Sequence, residues 1–210
     1  MRWTALIACG LWLACPTTAA AHRLDEYLQA TRIALAPDDV RVEIDLTPGI
    51  NVAPRVAPLI DSDGDGALSP SERRAYAELV VRLTDLQVDG RPAPLVVVGS
   101  EYPSLGEMRA GVGTIRLTAR ATLPAASPGG HRLTYANVHH PEMSAYLVNA
   151  LVPSPGIQIT HQQRDPWQHQ LTLDYVVDSS YGRGWRIAGG LGATLMMCAL
   201  GWFRRSSLQR

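Results

Sequence analysis

Residues 27–46 read YLQATRIALAPDDVRVEIDL, and the second half of this stretch decides the fold. Val40, Val42, Ile44 and Leu46 alternate with Arg41, Glu43 and Asp45. A period of two places one set of side chains on one face of a strand and the other set on the opposite face, so this is a strand with one face buried and one solvated. The turn Pro37-Asp38-Asp39 joins it to a preceding strand from about Tyr27 to Leu35.

The same pattern recurs downstream. Ile115, Leu117, Ala119 and Ala121 alternate with Arg116, Thr118, Arg120 and Thr122, and Leu171, Leu173 and Tyr175 repeat it near the end. Shorter strands are predicted at Leu133–Val138, Tyr146–Val152 and Ile157–His161. Leu86 to Arg91 reads as a hairpin with Asp89-Gly90 as its two-residue turn. Pro92 and Pro94 place the next strand at an edge, because proline cannot donate to a central ladder. Many short strands at this spacing predict a mainly β fold, a β-sandwich.

One insertion follows the second strand. Asp61 to Glu72 reads DSDGDGALSPSE. A calcium ion takes six to eight oxygen ligands. A twelve-residue EF-hand loop supplies them from positions 1, 3, 5, 7, 9 and 12, with glycine at 6. Those positions are Asp61, Asp63, Asp65, the backbone carbonyl of Ala67, Ser69 through a water, and Glu72, with Gly66 at the turn. Leu68 is expected to pack inward. Ser69-Pro70-Ser71-Glu72 also reads as a capping box with proline at N1.

After the loop, Pro70–Leu83 is expected as an amphipathic helix with Ala75, Tyr76, Leu79, Val80 and Leu83 on its apolar face. The helix before the loop carries Pro54 and Pro58 and is expected to be short or irregular. A lone hand with such a flank belongs to the weak extracellular class of sites, with Kd on the order of 10⁻⁴–10⁻³ M.

The two ends of the sequence address compartment. Arg2, the apolar run Ala5–Ala14 and Ala19-Ala20-Ala21 fit a secretory signal over residues 1–21, which makes His22 the first mature residue. Cys9 and Cys15 fall in that signal and Cys198 in the C-terminal apolar run, so the exported part has no disulfide framework. Ile187–Phe203 is uncharged and as a helix spans about 25 Å, near the lower limit for a membrane crossing. Trp185 and Trp202 flank it and Arg204-Arg205 follows at once. The expected arrangement is a signal (1–21), an exported domain (22–180), a single transmembrane helix (187–203) and a cytoplasmic tail (204–210). The partner implied is the cytoplasmic membrane, with the domain on its outer, periplasmic side. A sorting tail that is later removed is the alternative reading of the C-terminus.

Formal net charge is zero and the exported part has no long basic run, so no nucleic-acid partner is expected. Zincin, nucleophile-elbow, phosphate-loop and cysteine-pair motifs are all lacking. No catalytic residue and no organic cofactor is signalled, and the expectation is a binding module and not an enzyme. An enzyme of unrecognised type is one alternative. A copper- or nickel-binding role is another: the amine and imidazole of His22 form a chelating pair, and His139-His140 supplies further nitrogens. The simpler reading makes His139-His140 a solvated turn beside Pro141.

The order of short motifs is informative as a set. Ala21-His22-x-Leu24-x-x-Tyr27 is followed by Val40-Arg41-Val42-x-x-Asp45-Leu46, then the acidic loop. Leu86-x-Val88-Asp89-Gly90-Arg91-Pro92 and the strand Thr114–Leu123 come next. Over about His22–Val152 this resembles the exported N-terminal domain found ahead of the membrane helices in some bacterial nickel/cobalt transporter-like proteins. The chain departs from that pattern in having one anchor helix and no multi-helix transporter. The resemblance therefore implies a detached accessory domain acting beside a metal transporter.

Overall fold

The computed structural model of the chain describes residues 24–124 and 126–179. The predicted signal, His22 and the predicted membrane helix lie outside the described residues. Among the described residues, no helix is long and apolar enough to cross a membrane.

Two five-stranded sheets face each other. Among the described residues, ten strands and three helices follow in chain order: β1 (Tyr27–Leu35), β2 (Asp39–Pro48), α1 (Ala53–Ile60), α2 (Pro70–Arg82), β3 (Thr84–Val88), β4 (Arg91–Pro92), β5 (Val96–Glu101), α3 (Leu105–Arg109), β6 (Ile115–Thr122), β7 (Gly129–Asn137), β8 (Ser144–Ala150), β9 (Ile157–Arg164) and β10 (Gln170–Val177). The first sheet has the order β5-β6-β2-β1-β8 and the second β4-β3-β7-β10-β9. Pairing is antiparallel throughout except between β1 and β8, which run parallel.

The alternation read in β2 holds in space. Val40, Val42, Ile44 and Leu46 are each fully buried, and β6 answers with Ile115, Leu117, Ala119 and Ala121. From the other sheet come Leu86, Leu133, Tyr135, Leu171, Leu173, Tyr175 and Val177. On the solvent face of β1 and β2, Arg32 bridges Glu43 at 3.2 Å and Asp45 at 3.0 Å, and Arg41 reaches Glu43 at 2.8 Å. Exposed pairs of this kind contribute about 0–1 kcal/mol each, whereas burying a Val, Leu or Ile side chain contributes about 1.5–3 kcal/mol. The seam between the sheets carries the fold, and the charges keep its back soluble.

The expected strands are present within a residue or a few at their ends. Asp89 (φ 51°) and Gly90 (φ 72°) both occupy the left-handed region, as a two-residue hairpin turn of the I′ type requires. β4 and β5 sit at sheet edges, β4 where Pro92 interrupts the donor row. The helix α3 went unforeseen. It is short, is started by a Ser104–Glu107 capping box, and buries Leu105 and Met108 beside α1.

One polar staple crosses the core. Asn137 on β7 donates to Gln29 on β1 at 3.0 Å, and Gln29 donates to the His139 carbonyl at 2.7 Å and to Ser144 at 2.6 Å. Gln29 and Asn137 are almost wholly buried, so their amides need these partners. At the opposite end, His131 Nδ1 meets an Asp89 carboxylate oxygen at 2.7 Å and Nε2 meets the Ser127 carbonyl at 2.8 Å. Both partners only accept, so both contacts are satisfied when each ring nitrogen carries a proton, and the arrangement favours the cationic imidazole. The Asp89 bond, then the Ser127 carbonyl, raises the His131 pKa above its ordinary 6.5. Chiefly the same His131 bond holds Asp89 below its ordinary 3.8.

Two outcomes follow from this architecture. Ile44→Ala is expected to cost about 2–5 kcal/mol in urea unfolding, and Glu43→Ala, on the same strand but facing water, under about 1 kcal/mol. The latch gives a pH dependence. His131 has a higher pKa folded than unfolded, so its contribution is complete below pH 6.5 and is lost as pH rises through the raised value. Asp89 has a lower one, so its contribution is complete above pH 3.8 and is lost as pH falls through the lowered value. The melting-temperature deficit of His131→Gln should therefore be greatest between about pH 4 and 6.5 and shrink on either side.

Candidate metal centre

Helix α1 runs from β2 into the acidic loop. Pro54 sits in its first turn, where no intrahelical donor is lost; with Pro58 inside, the helix extends only over Ala53–Ile60. Asp61 caps it, donating its N–H to the Ala57 carbonyl at 2.9 Å. The chain then turns twice through the left-handed region, at Gly64 (φ 72°) and Gly66 (φ 83°). These two glycines allow three aspartates to converge in five residues.

Each aspartate uses one oxygen to hold the loop. Asp61 Oδ2 accepts from Gly66 N–H at 3.2 Å, Asp63 Oδ1 from Asp65 N–H at 3.2 Å, and Asp65 Oδ1 from Ala67 N–H at 2.8 Å. Asp63 and Asp65 are exposed, but Asp61 is only 8% exposed, and its Oδ1 is buried with no partner. One oxygen from each aspartate lies within 4.8 Å of the other two. Converging carboxylates repel one another and are stabilised by a cation, so this cluster could hold a metal ion.

The remaining predicted ligands are placed differently. Ser69 is the N-cap of α2, and the capping box is complete: Glu72 N–H donates to Ser69 Oγ, and Glu72 Oε2 accepts from Ser69 N–H at 2.9 Å and Ser69 Oγ at 2.8 Å. Glu72 Oε1 reaches across the loop to accept from Ser62 N–H at 2.7 Å and Ser62 Oγ at 3.0 Å. The Ser69 donors, and then those of Ser62, lower the Glu72 pKa from 4.5 to about 2. Glu72 thus closes the loop by binding positions 2 and 9, and it does not join the group formed by the three aspartates. Ala67 is exposed at the rim, and Leu68 packs inward as expected.

Helix α2 places its buried face one position away from the expected one. Tyr76 and Val80 are buried, but their companions are Ala77 and Val81, while Ala75 is exposed and Leu79 half-buried. Tyr76 is common to both faces, and its hydroxyl bonds the hydroxyl of Tyr27 at 2.7 Å inside the core. Periodicity alone could not choose between Ala75 and Ala77, since alanine fits either face.

The histidine pair corrects a second expectation. His139 is fully buried, not part of a solvated turn. Residues 138–143 cross from β7 in one sheet to β8 in the other, over the open end of the sandwich, so a residue in the middle of that crossing plugs the core. No protein-family model matches the chain, and no curated protein matches it.

The loop geometry makes one substitution diagnostic. A Cβ at Gly66 would meet nothing within 4 Å, and the same holds at Gly130. Only Gly66 of the two sits at positive φ. Gly66→Ala is expected to lose about 1–2 kcal/mol of stability through backbone strain alone, Gly66→Asn less, and Gly130→Ala almost none; chemical denaturation of the three variants checks the order.

Proposed function

We propose that the chain is an exported calcium-binding module, held to the cytoplasmic membrane by residues 187–203 and acting as a binding or accessory protein. The observation that carries the calcium reading is the buried, unpartnered Oδ1 of Asp61 within the three-aspartate cluster. A buried carboxylate oxygen with no hydrogen bond is costly. A hard cation resolves that cost, and the spacing of oxygen ligands over Asp61–Glu72 matches calcium, which tolerates many ligands in flexible geometry, better than magnesium, which demands near-ideal octahedral order. On binding, Asp61, Asp63 and Asp65 supply carboxylate oxygens, Ala67 its carbonyl, and Ser69 a water-mediated contact. Glu72 turns from Ser62 to complete the set.

Export and anchorage are supported by the sequence of the two ends, and a role beside a metal transporter by the resemblance over residues 22–152. The lack of any catalytic motif supports binding over turnover.

A cation that binds only the folded chain adds about 2.7 kcal/mol at one hundred times its Kd. The melting temperature should rise with calcium over chelator, and the rise should vanish in Asp61→Asn and fall in Glu72→Gln. Equal melting in calcium and chelator, measured up to millimolar calcium, would remove the proposal.

A further inference from the structure

His139 is a second anomaly. Its side chain is fully buried, yet neither Nδ1 nor Nε2 has a hydrogen-bond partner. Burial, then the neighbouring His140, lowers its pKa from 6.5 to about 4, against a small opposing effect of Glu142. A neutral imidazole carries one N–H and one lone pair, and in this ring neither is met by a hydrogen-bond partner. Tyr27 and Tyr76 pack against the ring in T-shaped contacts, 5.9 Å and 5.7 Å between ring centres, and neither gives a ring nitrogen a hydrogen bond. Nothing among the described residues takes the lone pair.

The neighbouring ring supplies what is missing. His140 stands 4.5 Å from His139 between ring centres, at 69°. Its backbone is held in the left-handed region at φ 54°. Its Nδ1 lies 3.1 Å from an oxygen of Glu142, and its Nε2 has no hydrogen-bond partner. A ring whose one nitrogen is oriented by a carboxylate while the other is left free is the usual arrangement of a metal-binding histidine. Two imidazoles bound side by side to one ion, each nitrogen about 2.0–2.1 Å from it, bring their ring centres within a few ångströms of each other, so the 4.5 Å separation is compatible with an ion set beside the pair. His140 is half-buried and Glu142 exposed, so an ion enters from the His140 side.

We propose that His139 and His140 form a second metal site, for a late first-row transition ion that prefers neutral imidazole nitrogen, oriented by Glu142 and separate from the oxygen-lined loop. The two sites divide cations by chemistry: oxygens of Asp61, Asp63 and Asp65 for a hard ion, nitrogens of the histidine pair for a borderline one.

The test uses the full chain, with calcium in excess to occupy the loop, and Zn²⁺ as the probe. Zinc is titrated against a chromophoric chelator while the imidazole nitrogens are followed by ¹⁵N NMR. The expected result is one zinc bound, with ring nitrogens of both His139 and His140 shifted. Affinity should fall at least tenfold in His140→Gln and in Glu142→Gln and stay unchanged in Asp61→Asn. Absence of zinc binding, unmoved His139 nitrogens on binding, or full affinity in His140→Gln each overturns the proposal. Should His139→Phe fail to fold, the NMR of the unaltered chain and the His140 variant still decide.

Discussion

The seam between the two sheets is the constraint on which everything else in the molecule depends. β2 lies at the centre of the first sheet, with β1 and β6 on its flanks, and its four inward side chains make no contact with water. A strand that buries one whole face cannot slip by one residue without turning its charges into the core. Arg41, Glu43 and Asp45 therefore lock the register of β2 as firmly as Val42 and Ile44 do. With β2 fixed, the position of Pro48 is fixed, and so is the point from which α1 and the acidic loop leave the sandwich.

The end of the sandwich reached there is closed by unlike materials. Helices α1 and α2 close one part of it, and the crossing from β7 to β8 closes another. The two meet at Tyr76, whose hydroxyl bonds Tyr27 and whose ring stands against His139. The first turn of α2 carries Glu72, which is tied to Ser62 and Ser69, and the second turn carries Tyr76. Glu72 and Tyr76 thus stand about one helical turn apart, the one tied into the loop and the other in the core. The polar staple of Gln29 and Asn137 holds the carbonyl of His139 from the other side, so the crossing segment is gripped by both sheets while its imidazole ring is left without a hydrogen-bond partner.

Much of this was legible before any coordinates. Strands announce themselves by alternation, the Asp89-Gly90 turn by its need for positive φ, and the acidic loop by three alternating aspartates beside Gly64 and Gly66. These are local properties: each is settled by residues within about a dozen positions, and the chain's own stereochemistry enforces them. The capping box at Ser69 and Glu72 was legible for the same reason. The matching box at Ser104 and Glu107 has the same signature, and reading it would have revealed α3.

Tertiary structure decided the rest, because the deciding contacts join residues far apart in the chain. Pairing of β1 with β8, parallel and 117 positions apart at Tyr27 and Ser144, cannot be read from alternation, which records which face is buried and not which strand lies alongside. The burial of Ala77 and not Ala75 depends on what the helix packs against, and Tyr76 between them bonds a hydroxyl 49 positions away. His139-His140 beside a proline reads locally as a surface turn. Only the need to cross between two sheets puts His139 inside, and only the packing of Tyr27 and Tyr76 around it leaves its nitrogens without partners. By itself the sequence determined the strands, the acidic loop and the hydrophobic face that joins them. The packing of the sheets determined which polar groups were left buried without a partner, since that depends on every neighbour at once.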